Sequence, residues 1–263
     1  CETNQFEVSG PPVTRFFCHC TICQEKYQAP YADVVLFPLA GLALPEGHSI
    51  NFGQYKRFGA IDRGMCTACH QPVMLIALES FVDAGNVRAS VAETLREQLD
   101  FKIVADFDMD LLIDHRSHRP ILTINDGVMT NFEWPSIQLL HAIDQLGNHV
   151  LLLDGPEPDL VWHQFINQVM ALATKFAARS IIGIGSFPGP VPHTRPTEVA
   201  TTTTDSSLAR PVAYLPDELE VPSSIHAAIE WSAQDYGIPA LGLWAPVPQY
   251  AGGQPYPSAA AAL

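Results

Sequence analysis

CTACHQPVMLIALESFVDAG, residues 66–85, joins a pair of cysteines directly to an apolar run that ends in an Asp-Ala-Gly turn. The spacing Cys66-x-x-Cys69 is typical of a metal-binding turn, because two thiolates on one turn can hold the same ion. The run VMLIAL at 73–78 is typical of a strand buried on both faces of a sheet. The stretch therefore marks the junction of two units. We expect the larger unit to take residues 73–78, since its core buries more apolar area.

Composition narrows the possible functions. Charged residues make up 16% of the chain and apolar residues 47%, which is typical of a folded protein. The formal net charge of −14 argues against nucleic-acid binding, which needs basic surface. No apolar run reaches the roughly 20 residues that a membrane-spanning helix needs. We expect no membrane partner, and a cytoplasmic location, because no secretory signal is visible and the thiols are expected to be reduced.

All 6 cysteines lie in the first part of the chain, which otherwise consists of short β-rich segments. So small a unit needs a crosslink, because it cannot bury enough surface by itself. Disulfides are one interpretation, but Cys-x-x-Cys spacing favours an ion, and thiolates select zinc or iron–sulfur clusters. The thiolates of residues 18, 20 and 23 would leave the fourth position of a zinc ion open, as in catalytic zinc sites. The other three cysteines would form a second site that lacks one of its four ligands. The predicted zinc ligands are Cys18, Cys20 and Cys23 for the first site, and Cys1, Cys66 and Cys69 for the second.

Residues 1 to about 72 resemble the glutathione-dependent formaldehyde-activating enzyme family, which includes centromere protein V. The resemblance rests on FEV after the first cysteine, FFCHCTICQ, QAPYADVVLFP and YKRFGAIDRGMCTAC. It implies a small zinc-stapled all-β module, a β-tent, with up to two zinc ions. It also implies carbon–sulfur lyase or synthase chemistry, in which the zinc on Cys18, Cys20 and Cys23 receives the thiolate of glutathione beside formaldehyde to give S-hydroxymethylglutathione.

The chain departs from that family at two points. The first Cys-x-Cys of the family has lost its leading cysteine, so His48 or His70 would have to complete the second zinc site, while His19 is expected to be a spacer. The strands expected after Cys69 are replaced by a different pattern. We therefore expect residues 1–71 to form an incomplete module.

From Pro72 onward, apolar runs alternate with amphipathic segments. The segments 86–100 and 159–180 carry apolar residues at intervals of three and four and predict helices. Alternation of strands and helices predicts an α/β layer domain with a mostly parallel sheet covered on both faces. Besides VMLIAL, the runs predicted to be buried strands are FKIVADF, ILTIN, HVLLLDG, SIIGIGSF and PALGLWAPV.

Polar residues follow several of these strands, at the sheet edge where open α/β folds bind ligands. His193 and Arg195, in a proline-rich loop, are suited to an anionic group, although the loop could equally be a rigid lid or a subunit contact. Asp159 is expected to cap the following helix. No phosphate-binding signature and no nucleophile–base pair is recognisable. Further candidate polar groups, which helix-capping carboxylates would resemble, are Glu79, Asp83, His115 and Glu157.

Residues 72–263 resemble the proteasome assembly chaperone 2 family, in its actinobacterial-like branch. The matching stretches are PVMLIALESFVDAG, LIDHRSHRP, LLLDGPEPDLVW, VPHTRP and GLWAPVPQYAGGQPYPSAAAAL. The resemblance implies a nucleoside-phosphorylase-like α/β sandwich that forms homo-oligomers and is truncated at its C-terminus here. Three hypotheses follow: a zinc-dependent enzyme on an oligomerising platform, a non-enzymatic assembly-chaperone-like or ligand-binding protein with a vestigial zinc module, or a fragmentary chimeric reading frame.

Overall fold

The computed structural model describes most of the chain from residue 71 onward and parts of the region before it. Contacts divide the chain into two compact units, Cys1–Gln71 with Ile143–His149, and Pro72–Ala142 with Val150–Leu263. Within the described residues, no helix is long and apolar enough to cross a membrane. The described residues are 7–18, 32–36, 38, 42–43, 50–54, 62–66, 71–210, 212–213, 215, 218–251 and 253–263.

The smaller unit contains short antiparallel strands. β1 pairs with β4, β2 with β3, and β5 with β6. Cys18 ends β2 and Cys66 ends β6, but their side chains and the other four cysteines lie outside the described residues, as do His19, His48 and His70. Zinc ligation therefore stays a prediction. The strands are β1 (Glu7–Val8), β2 (Thr14–Cys18), β3 (Ala32–Leu36), β4 (Leu42–Ala43), β5 (Ile50–Gln54) and β6 (Asp62–Cys66).

The larger unit is a mixed α/β fold. Its strands are β7 (Val73–Leu78), β8 (Lys102–Asp106), β9 (Ile121–Asn125), β10 (Val128–Glu133), β11 (Gln138–Ile143), β12 (His149–Gly155), β13 (Ser180–Gly189), β14 (Ala200–Thr203) and β15 (Ala240–Pro248). Its α-helices are α1 (Val87–Gln98), α2 (Met109–Leu112), α3 (Trp162–Lys175), α4 (Ile225–Ala233) and α5 (Pro257–Ala260). Short 3-10 turns span Ala84–Asn86, Gln234–Tyr236 and Gln249–Ala251.

Seven strands form one sheet in the order β14-β15-β13-β7-β12-β11-β8. β7 lies in its centre and pairs in parallel with β12 and β13, while β13 pairs in parallel with β15. The edge strands β14 and β8 pair antiparallel to their neighbours. The predictions that residues 73–78 belong to the larger sheet and that this sheet is mostly parallel are both confirmed.

Alternate side chains of β7 explain why helices cover both faces of this sheet. Met74 and Ile76 are 0% exposed and pack in one cluster with residues of α3 and α4. Ala77, also 0% exposed, points to the opposite side and packs with Ala92 of α1. A strand buried on both faces must be apolar throughout, and VMLIAL meets that requirement.

Two strand predictions were wrong about burial. ILTIN forms β9, which pairs with β10 in a separate two-stranded sheet, and Ile124 is 56% exposed. The reason is local: Asp126 and Gly127 have φ of 49° and 80°, which is the geometry of a tight hairpin turn, so β9 folds back onto β10 instead of entering the main sheet. FKIVADF forms the edge strand β8, where Ile103 is 59% exposed.

Candidate functional site

The topology of the sheet locates a candidate site at the carboxyl ends of β7 and β13. β7 and β13 are neighbours in the sheet. The parallel strand that follows β7 along the chain, β12, lies on one side of this pair, whereas the parallel strand that follows β13, β15, lies on the other side. The two connections therefore diverge, and open α/β sheets bind ligands in the crevice at such a switch point. The loop after β7, the buried end of β13 and the first turn of α4 line this region.

Asp83 organises the loop that follows β7. Its Oδ1 accepts hydrogen bonds from Arg88 N at 3.1 Å and lies 3.0 Å from Ser186 Oγ. Ser186 is 0% exposed, and its hydroxyl also lies 2.9 Å from the carbonyl oxygen of Ala84. Gly85 has φ of +66°, and a Cβ there would lie 2.7 Å from Tyr256 Cβ, so only glycine fits this turn. The sequence Asp-Ala-Gly thus fixes the loop to β13 and to the start of α1.

Arg88 holds a largely buried positive charge at the same place. Its side chain is 15% exposed, and its Nη1 lies 3.4 Å from the Ala77 carbonyl oxygen and 3.5 Å from Asp154 Oδ1. Its other nitrogens lie 3.8 Å from carboxylate oxygens of Glu79 and Asp83. Three carboxylates therefore surround one guanidinium, an arrangement that fixes the ends of β7 and β12 relative to α1.

His226, in the first turn of α4, is a buried neutral base. The residue is 1% exposed, and its Nε2 lies 2.8 Å from the Leu78 carbonyl oxygen. Because a carbonyl oxygen can only accept a hydrogen bond, Nε2 of the neutral ring carries the proton and Nδ1 carries a lone pair. That Nδ1 is buried and has no hydrogen-bond partner among the described residues. Burial lowers the pKa of His226 to about 4, so the ring is neutral at physiological pH.

A pocket of about 440 Å³ opens beside the ends of β7 and β12. Two predicted candidates, Glu79 and Glu157, both line it. Glu157 Oε1 accepts a hydrogen bond from Ile225 N at 2.8 Å, and burial raises the pKa of Glu157. The pocket combines carboxylates with aromatic surface, which suits a cationic or amphipathic group. Its other lining residues are Ser80, Phe81, His118, Pro158, Asp159 and Trp162.

The helix-cap prediction for Asp159 was wrong. Helix α3 begins at Trp162, its N-cap is Val161, and no side chain caps it. The Asp159 carboxylate instead accepts Asp114 N at 2.7 Å and lies 3.2 Å from His118 Nδ1. Asp159 lies two residues before the N-cap Val161, and its carboxylate is held by residues after α2 instead of by the helix start.

The remaining candidates lie at other places. His115 follows α2 and bonds Asp110 at 2.9 Å, with its ring against Trp134. His193 bonds the Tyr250 hydroxyl through both its backbone N–H, at 2.9 Å, and its Nδ1, at 2.8 Å. Arg195 lines a separate proline-rich pocket of about 270 Å³. Anion binding by His193 and Arg195 stays a prediction.

No group of three or more metal-binding side chains occurs in the part of the chain that the structure describes. The predicted catalytic and metal ligands Cys1, Cys20, Cys23 and Cys69 lie outside that part, and zinc ligation by them stays a prediction.

Sequence reasoning missed Arg88, Ser186 and His226. The isoleucines of IHAAIEWSA, Ile225 and Ile229, are four apart and predict a helix with one apolar face. His226 lies next to that face, which is the signal that could have identified it as buried. Ser186 had no such signal, because its partners lie 102 and 103 positions away in the sequence. Arg88 lies near Glu79 and Asp83 in the sequence, but its contact with Asp154 is 66 positions away.

The family model described as the PAC2 family matches residues 77–263 of this chain. The chain belongs to the PAC2 family. Among solved structures, a protein of unknown function from Corynebacterium glutamicum is 33% identical with a TM-score of 0.68, and the match covers 74% of this chain and 72% of that one. A Mycobacterium tuberculosis protein of unknown function is 36% identical with a TM-score of 0.66, over 73% of this chain and 65% of that one.

A second M. tuberculosis structure is described as a proteasome-assembly chaperone homologue. It is 27% identical with a TM-score of 0.67, and the match covers 72% of this chain and 81% of that one. Among curated proteins, none matches the chain significantly.

The model of the glutathione-dependent formaldehyde-activating enzyme family matches residues 1–103. Its match therefore overlaps the PAC2 match over residues 77–103. The structure places this overlap in the larger unit, where it forms the end of β7, α1 and the first two residues of β8. The segment that matches both family models thus belongs to the α/β fold.

Proposed function

We propose that the larger unit is a binding or assembly protein that acts through protein contacts, including contacts with copies of itself. One observation carries the proposal: the hairpin β9–β10 exposes a continuous apolar surface. Large exposed apolar patches on soluble proteins mark interaction sites, because leaving them in water is unfavourable. The proposal includes a nucleoside-phosphorylase-like sandwich, a homo-oligomer and a cytoplasmic location.

The hairpin register places four of its apolar residues on one face. Leu122 lies opposite Phe132, and Ile124 lies opposite Met129. Residues directly opposite each other share a face, and positions two apart on a strand share it too, so these four side chains form one surface. Met129 is 72% exposed and Phe132 is 50% exposed. Trp134 extends the surface, with its ring centroid 5.4 Å from that of Phe132.

The M. tuberculosis relative that is described as a proteasome-assembly chaperone homologue supports the same class of function. Assembly proteins need surfaces that bind other chains reversibly. The hairpin meets that need, because it stands outside the seven-stranded sheet and can be covered without disturbing the core.

Sedimentation velocity of the full chain tests the proposal. We expect the wild type to sediment as an oligomer and a Met129→Ser/Phe132→Ser variant to sediment as a smaller species. The matched control, Thr123→Ser/Asn131→Ser, changes polar residues on the opposite face of the same hairpin and should leave the mass unchanged. A wild type that stays monomeric at tens of micromolar, or a variant as large as the wild type, would contradict self-association.

We also propose carbon–sulfur chemistry for the smaller unit, because the formaldehyde-activating enzyme model matches residues 1–103. Cys18, Cys20 and Cys23 would hold one zinc ion with an open position, and the remaining three cysteines would hold most of a second site. Bound zinc lowers the pKa of a thiol, so it would keep the glutathione sulfur as a nucleophilic thiolate for attack on formaldehyde.

Metal content separates this proposal from that of a vestigial module. We expect the wild type to bind more than one zinc per chain and Cys20→Ser to lose one ion, whereas the control Thr21→Ser should lose none. The variant should also lose any acceleration of adduct formation between glutathione and formaldehyde. Zinc well below one ion per chain, or a rate of adduct formation equal to that without protein, would contradict the enzyme proposal. Only the proposal of a binding or assembly protein would then remain.

A further inference from the structure

Glu230 is a buried carboxylic acid that neither proposed function uses. It lies on α4 and is 4% exposed. Beneath it, Gly183 of β13 and Gly242 of β15 are register partners in the parallel sheet. A Cβ on Gly183 would collide with Glu230 Oε1, and one on Gly242 would lie 2.7 Å from the same oxygen. The two glycines therefore make the space that the carboxyl group fills.

The two oxygens of Glu230 have different surroundings. Oε2 accepts a hydrogen bond from Thr202 Oγ1 at 2.9 Å, and Thr202 Oγ1 in turn accepts one from Trp244 Nε1 at 2.9 Å. Oε1 is buried and has no partner among the described residues. Thr202 belongs to β14, the edge strand of the sheet, so this one carboxyl group connects α4 to that edge.

Among the described residues, no opposite charge on the strands packed against α4 compensates an ionised Glu230. The elements packed against α4 include β7, β13, β14 and β15, whose sequences contain no charged residue. His163 and Lys175 of α3 and Asp235 of the following turn are all exposed. On α4 itself, His226 is buried and neutral. Burial accordingly raises the pKa of Glu230 to about 7.

We propose that Glu230 is a proton-dependent latch, in which the neutral carboxyl group holds edge strand β14 against α4 and loss of the proton loosens that edge. β14 is the element that gives way, because it spans only Ala200–Thr203 and has a neighbour on one side only. When β14 moves, water reaches the carboxylate and its pKa returns toward the ordinary value. Local opening therefore becomes easier as the pH rises, by about tenfold per pH unit until Glu230 is ionised in the closed state too.

Hydrogen exchange of the full chain, read by mass spectrometry between pH 5 and 8 and corrected for the intrinsic exchange rate, tests the latch. We expect protection of 200–203 to fall by about fortyfold between pH 5 and 7, at up to tenfold per unit, and then to level off. Glu230→Gln should abolish this fall. Glu220→Gln makes the same chemical change at an exposed position and should retain it.

Thr202→Val provides a second variant, because it removes the hydrogen bond to Glu230 and keeps a branched side chain. We expect its protection at pH 5 to be already reduced. The latch is overturned if wild-type protection is flat with pH, if Glu230→Gln keeps the full fall, or if Thr202→Val is as protected as the wild type at pH 5. Protection of 200–203 equal to that of β7 and β12 at every pH would also overturn it, because β14 would then open only when the whole unit unfolds.

Discussion

Acidification should destabilise the larger unit through His226. Burial lowers the pKa of this imidazole from its ordinary 6.5 to about 4. As the pH falls below 6.5, the unfolded chain takes up a proton that the folded protein does not, so stability is lost between those two values. A pKa shift of this size corresponds to a loss of about 3 kcal/mol in the free energy of unfolding, at roughly 1.4 kcal/mol per unit of pKa. The side chain is 1% exposed, so solvent screening reduces this little.

Urea unfolding at a series of pH values between 4 and 7.5 measures this loss. His226→Gln removes the titration but keeps a donor for the Leu78 carbonyl oxygen, which His226 Nε2 contacts at 2.8 Å. Glu230 acts in the opposite sense, because its raised pKa makes stability fall as the pH rises through about 7, so both proteins should carry Glu230→Gln. His163→Gln, at an exposed position of α3, is the matched control.

In that background we expect the protein with His226 to lose about 3 kcal/mol between pH 7 and 4 relative to His226→Gln. The His163→Gln control should follow the protein with His226. If His226→Gln loses stability with the same slope as its parent, the buried neutral imidazole is not the cause and the reasoning is refuted.

Other predictions concern packing, and urea unfolding at neutral pH measures each of them. Gly242→Ala should cost about 1–3 kcal/mol, because its Cβ would lie 2.7 Å from Trp244 Nε1. Gly253→Ala, with nothing within 4 Å, should be nearly neutral, and equal stabilities would contradict the close packing. Phe165→Ala, at a fully buried position, should cost about 3–5 kcal/mol, and a cost below about 1 would contradict its place in the core. Glu157→Ala removes the acceptor for the first backbone N–H of α4 and should cost about 1 kcal/mol, an effect that Glu157→Gln should largely rescue.

The parallel centre of the sheet was predictable because its strands are buried on both faces. VMLIAL, HVLLLDG, SIIGIGSF and PALGLWAPV are apolar runs bounded by turn residues, and each forms a strand of the central sheet. A strand that is buried on both faces is apolar at successive positions, so its burial can be predicted without knowing which strands it pairs with.

Hairpin β9–β10 was not predictable from apolar content alone. ILTIN is as apolar as a core strand, and only the Asp126-Gly127 pair after it signals the tight turn that removes it from the sheet. Its apolar residues face outward, which is the arrangement of an interaction surface rather than of a core.

The candidate site was predictable only in part. Glu79, Asp83 and Glu157 come one to five residues after the ends of β7 and β12, so their place at the carboxyl edge follows from strand order. Ser186 lies within the long strand β13, and its contact with Asp83 joins residues that are 103 positions apart. Such a contact depends on the register between strands, which the local sequence does not specify.

Photo-crosslinking tests most directly whether the larger unit acts through its hairpin. A photoreactive phenylalanine analogue replaces Met129 on the face of Leu122, Ile124 and Phe132, and in a control protein it replaces Thr123 on the opposite face. Illumination of the purified full chain should then yield covalent multimers of this chain from position 129 and few from position 123. Equal yields from the two positions, or no multimers from position 129, would contradict the account.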